Sequence, residues 1–116
     1  MLVRARVRGT RSSCTLTALV DTGARMSVLD SELSFISISG HRLRASEAVV
    51  PEFEVDGELL RYEAVAVADL PDAVKAALRS SGLDERLIVG LLTLERANMV
   101  PDATRGLLRR VEAFIF

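Results

Sequence analysis

One cysteine, one histidine and an aromatic content of 4% close off much of the chemistry open to a small protein. Cys14 has no internal disulfide partner, and metal sites built from cysteine clusters are excluded. With His41 as the sole histidine, a histidine-built metal site or a Ser-His-Asp triad is a poor expectation. Too few aromatics remain to stack single-stranded nucleic acid. The formal net charge of -1 supplies no global field toward nucleic acid or an acidic membrane. No apolar run approaches the length that crosses a bilayer. Met1 to Arg8 interleaves arginine with apolar residues and does not read as a signal peptide. The expectation is a cytoplasmic, reducing location, with no membrane or nucleic-acid partner and no cysteine- or histidine-built metal site.

What is there is ordinary for a globular chain. The 116 residues are 49% hydrophobic and 27% charged, which fits one small domain, 1–116, with one core.

Val3, Ala5 and Val7 alternate with Arg4, Arg6 and Arg8, the period of a strand with one wet face. Gly9 to Ser13 reads as a turn, Thr15 to Val20 as a second strand, and Val28-Leu29 as a short third. His41 to Val50 reads as one extended segment. Phe53 to Val67 is a hairpin around Asp56-Gly57, a favoured tight-turn dipeptide. Asp72 to Ser80 reads as a helix: Pro71 and Asp72 start it, Leu70, Val74 and Leu78 form its apolar stripe, and Gly82 stops it. Leu87-Ile88-Val89 is a buried strand ending at Gly90. Leu91 to Ala97 is a helix capped by Asn98, Pro101 to Gly106 a turn, and Leu107 to Phe116 a final strand. The sum is mostly β with two short helices. A faint echo links the strand before Asp21-Thr22-Gly23 to the strand before Gly90.

The stretch that carries chemistry is Leu19-Val20-Asp21-Thr22-Gly23-Ala24. An aliphatic run delivers a carboxylate to a glycine-containing turn. Burial of that carboxylate would need hydrogen bonds or a partner, and a strand end that accepts such a cost is a functional candidate. Gly23 removes the side chain beside the carboxylate, so its N–H can approach the oxygens. The Thr22 hydroxyl is placed to brace the loop.

These residues resemble the retropepsin-like aspartic peptidases, whose hallmark is two aliphatic residues followed by Asp-Thr/Ser-Gly and usually Ala. Their second hallmark, an aliphatic stretch ending in Gly before a short helix, is matched by Leu87-Ile88-Val89-Gly90 and the residues after it. Met99-Val100-Pro101-Asp102 and Leu107-Leu108 resemble the family's closing segment. A bare Asp-Thr-Gly is expected by chance in about two of every hundred chains this long, so the second element, in the right order, is what gives the match its weight.

The resemblance implies a small, closed, barrel-like retropepsin (acid protease) fold, mostly β, with one main short helix after Gly90 and a second over 72–80. It implies an aspartic endopeptidase that works as a homodimer on a peptide or protein substrate. Asp21 of each protomer is then catalytic, with Thr22, Gly23 and Ala24 forming the active-site loop and Val89-Gly90 the structural second motif. The second carboxylate comes from a second copy, because no other aspartate precedes Thr-Gly or Ser-Gly. Thr22 would hydrogen-bond across the two-fold axis, and the chain termini would add strands to the interface. The flap that covers substrate falls on Ser39-Gly40-His41, within a stretch from Ser31 that is short for a helix and a first flap strand together.

Two rival readings stand beside this one. The chain is a non-catalytic dimerisation or peptide-binding module on the same fold, or a β domain unrelated to peptidases in which Asp21 stabilises a tight turn.

Overall fold

The computed structural model describes residues 1–31, 42–44 and 47–111. Among the described residues the elements run β1 (Leu2–Arg8), β2 (Ser13–Val20), β3 (Val28–Asp30), β4 (Arg42–Arg44), β5 (Glu47–Val55), β6 (Glu58–Ala68), α1 (Asp72–Ser80), β7 (Leu87–Val89), α2 (Leu91–Arg96), β8 (Met99–Asp102) and β9 (Leu107–Arg110).

Alternation decides which face of each early strand is inside. Val3, Ala5 and Val7 of β1 are buried, as are Leu16, Ala18 and Val20 of β2. The seven-stranded sheet has the order β1-β2-β7-β3-β6-β5-β4, and an additional β1–β5 pairing closes six of these strands into a barrel. Closure uses the arginines of the wet face. Arg6 lies opposite Glu54 and Arg8 opposite Glu52, with ion-pair distances of 2.9 Å and 3.5 Å. Exposed pairs of this kind contribute about 0–1 kcal/mol each, so they favour this register while the apolar interior supplies most of the stability. Phe53, Leu29, Leu87 and Leu94 are fully buried, each burial contributing roughly 2–3 kcal/mol.

The β5–β6 hairpin turns at Asp56 and Gly57, both at positive φ (47° and 86°), the conformation a two-residue turn between right-twisted strands requires. Further along, the hairpin shifts phase in both strands at once. On β5 the buried residues go from Ala48 and Val50 to Phe53 and Val55; on β6 they go from Leu60 to Glu63, Val65 and Val67. The changeover falls at Pro51, which has no N–H to give, and at Tyr62, whose φ is 56°. Glu63 is thereby turned inward, where the Arg96 guanidinium at the end of α2 pairs with it.

Two expectations are corrected, and one helix forms as expected. Within the segment expected over 41–50, the described residues are not one strand: β4 and β5 pair antiparallel with each other. The helix over 72–80 forms, ending in a Schellman arrangement in which Leu83 N–H reaches Leu78 O at 2.9 Å and Gly82 N–H reaches Arg79 O at 3.0 Å. Along its apolar stripe Leu78 is buried, Leu70 half-buried and Val74 exposed. Pro101 and Asp102, read as turn, complete β8, which pairs with β9. β1 pairs with β2 along Leu2–Arg8 and with β5 along Ala5–Arg8. Residues 112–116, the apolar end of the expected final strand, lie outside the described residues.

Candidate active-site loop

The loop from Asp21 to Ser27 sits where two parallel strands end side by side. β2 and β7 pair with Leu19 opposite Ile88 and Val20 opposite Val89. The next residue, Asp21, donates its N–H to Val89 O at 3.0 Å. The sequence echo between the two strand ends therefore becomes a physical juxtaposition: Asp21-Thr22-Gly23 and Val89-Gly90 meet at one end of the barrel.

At the loop's start, Gly23 N–H donates to Asp21 Oδ1 at 2.9 Å, and Ala24 N–H donates to Asp21 O at 3.1 Å. Asp21, Thr22 and Gly23 are exposed and Ala24 is half-buried. This corrects the expectation of a buried carboxylate. In the protomer Asp21 stands in solvent at the barrel end, and the Gly23 N–H fixes one of its oxygens.

The rest of the loop wraps the start of α2. A helix leaves its first N–H groups without intrahelical acceptors, and α2 has no side-chain cap of its own. The loop supplies the acceptors instead. Leu91 N–H donates to Ala24 O at 2.8 Å and Leu92 N–H to Arg25 O at 2.9 Å. Gly90 N–H donates to Ser27 Oγ at 3.0 Å. Such contact requires the backbones to touch, which explains the glycine. A Cβ on Gly90 would lie 2.4 Å from the Met26 carbonyl carbon and oxygen and 2.8 Å from Ser27 N.

Two features were not singled out in the sequence. Ser27 and Thr93 are buried, and their hydroxyl oxygens lie 2.5 Å apart. Nothing marks either one locally, because an isolated hydroxyl in an apolar run has no spacing signal. Asp30 is the other: a carboxylate only 2% exposed, 3.3 Å from Lys75 Nζ and accepting Leu70 N–H at 3.2 Å. It ties α1 to the end of β3. Nearby, Arg86 grips Asp84 with two guanidinium bonds, 2.9 Å to Oδ1 and 2.8 Å to Oδ2. This hydrogen bonding holds the Asp84 carboxyl below the usual carboxylate range and raises Arg86 further above its own ordinary value. Arg86 also reaches Cys14 Sγ at 3.5 Å, and its carbonyl accepts Asp30 N–H at 2.8 Å.

No family model and no curated protein matches the chain. Among solved structures it is similar to the retroviral protease-like domain of Ddi1 from Leishmania major, at TM-score 0.60 and 19% sequence identity, covering 95% of this chain and 86% of that one. The fold is retropepsin-like. At that identity the likeness speaks for the retropepsin-like architecture and not for chemistry. The mostly β make-up and the closed six-stranded barrel match that architecture.

The expected flap residues Ser39, Gly40 and His41 lie outside the described residues. Among the described residues no group of three or more His, Cys, Asp or Glu is placed to hold a metal ion. No described helix is long and apolar enough to cross a membrane.

Proposed function

We propose that this chain is one half of an aspartic endopeptidase, active as a homodimer in which each protomer contributes Asp21. The observation that carries the reading is the Asp21 carboxylate itself. It stands exposed at a strand end and is oriented by Gly23 N–H at 2.9 Å.

In the dimer the two Asp21 carboxylates lie close together across the two-fold axis. Like charges at that separation do not both ionise, so the pair shares one proton and titrates as a unit. The ionised carboxylate accepts a proton from water as the water oxygen attacks the peptide carbonyl carbon. The protonated carboxyl donates to the carbonyl oxygen as charge develops there. Collapse of the tetrahedral intermediate breaks the C–N bond, and a proton passes from the pair to the leaving amine. Gly23 holds one oxygen in place, and Thr22 is positioned to bond across the axis. The chemistry calls for neither metal nor organic cofactor, and the substrate is a peptide or protein.

The test is cleavage of a mixed peptide library from acidic to neutral pH by the parent and by Asp21→Asn, with dimerisation followed by sizing. Cleavage by the parent that Asp21→Asn abolishes, with both chains dimeric, is the expected result. Intact dimers that cleave nothing would point instead to a dimerisation or peptide-binding module. A monomeric, inactive parent would leave Asp21 as a turn residue.

A further inference from the structure

Ser27 and Thr93 are 0% and 1% exposed, and neither takes part in the proposed chemistry. Their hydroxyl oxygens are 2.5 Å apart, 66 positions apart in sequence. Ser27 Oγ also accepts Gly90 N–H at 3.0 Å, while the Ser27 carbonyl accepts Ala66 N–H at 2.9 Å. Ser27 therefore joins the end of the Asp21 loop to α2 through its side chain and to β6 through its backbone. Thr93, one turn into α2, is the group that holds the Ser27 hydroxyl where Gly90 N–H can reach it.

We infer that the Ser27–Thr93 hydroxyl pair is a positioning lock for the Asp21 carboxylate. The two ends of the loop are fixed by different means. At its start, Asp21 N–H is held by Val89 O. At its far end, Ser27 is held by a hydroxyl pair in a dry interior, where a hydrogen bond is strong and an unpaired partner is costly. Between them, Ala24 O and Arg25 O accept from Leu91 and Leu92 of the same helix. A shift of Ser27 relative to α2 therefore loosens those two bonds and passes back to Gly23, the donor to Asp21 Oδ1. Both residues act through the loop and neither touches substrate. The catalytic consequence rests on the peptidase reading; the mechanical one rests on the hydrogen bonds alone.

The experiment compares the 116-residue parent with Thr93→Val, which keeps the shape and removes the hydroxyl, and with Thr93→Ser, which keeps the hydroxyl. Three quantities are read: the Gly23 amide chemical shift, the exchange of the Leu91 and Leu92 amides, and kcat and KM on the best-cleaved library peptide. Thr93→Val is expected to move the Gly23 shift and to speed Leu91 and Leu92 exchange about tenfold or more. It is expected to lower kcat by about tenfold to a hundredfold, with KM within about twofold. Thr93→Ser is expected to restore all three. The inference is overturned if Thr93→Val leaves the Gly23 shift and kcat at parent values, or if Thr93→Ser is equally impaired, since the methyl packing would then be what matters. A parent that cleaves nothing defeats the peptidase reading separately, and the amide measurements alone then decide the lock. If Thr93→Val does not fold, Thr93→Ala takes its place under the same criteria.

Discussion

The Gly23 N–H donates to Asp21 Oδ1 at 2.9 Å, and a methyl group placed on Gly23 would stand 3.1 Å from that same oxygen. The glycine thus both supplies the donor and leaves the space in which the carboxylate sits.

Gly23→Ala tests this directly. The added methyl displaces the carboxylate by a few tenths of an ångström. Because the site is exposed, stability changes little, within about 1 kcal/mol. Catalysis that depends on carboxylate placement falls by about tenfold or more. Peptide cleavage beside a thermal melt separates the two effects. Parent-level kcat/KM in this variant would show that the Gly23 contact does not position Asp21.

Gly90→Ala should act on stability first. Its methyl would meet backbone atoms of Met26 and Ser27, at 2.4 Å and 2.8 Å, not a side chain that can swing aside. Overpacking against fixed backbone costs about 3 kcal/mol or more, a fall in melting midpoint on the order of 10 °C. A midpoint within about 2 °C of the parent would mean that the loop and the β7–α2 junction are not packed as described.

Asp84 sets an acid limit. Hydrogen bonding to Arg86 lowers its folded pKa beneath the ordinary value of 3.8, so the folded state binds its proton less readily than the unfolded one. The stability it contributes is therefore complete above the unfolded value and is lost as pH falls through the lower, folded one. The pair is partly exposed, so the contribution is about 1 kcal/mol after solvent screening. Denaturant unfolding of the parent and Asp84→Asn should differ by that amount at neutral pH and converge at strongly acidic pH. A gap that stays constant from neutral to strongly acidic pH would remove Asp84 from the acid response.

Local chemistry made several elements legible. Alternation marked β1, the Asp56-Gly57 pair marked the β5–β6 turn, and Pro71, Asp72 and Gly82 bracketed α1. These signals act over a few residues, through side-chain direction, backbone sterics and turn preference, so they survive without knowledge of the rest of the chain. Where a local pattern depended on what it packed against, it misled. Val74 in the stripe of α1 is exposed, and within the expected 41–50 segment the described residues form two paired strands, β4 and the start of β5.

By itself, the sequence determined the mostly β composition, the aliphatic strand leading into Asp21, and the Gly23 and Gly90 positions flanking that chemistry. Only the tertiary structure decided that β1 closes on β5, that β2 and β7 end side by side, and that the Asp21 loop serves as the missing cap of α2. It also decided that Ser27 and Thr93, far apart in sequence, share a buried hydrogen bond. The reason is physical. Strand pairing and backbone-to-backbone contact join residues tens of positions apart through N–H and C=O groups that every residue carries, so side-chain identity leaves little trace of which partners will meet.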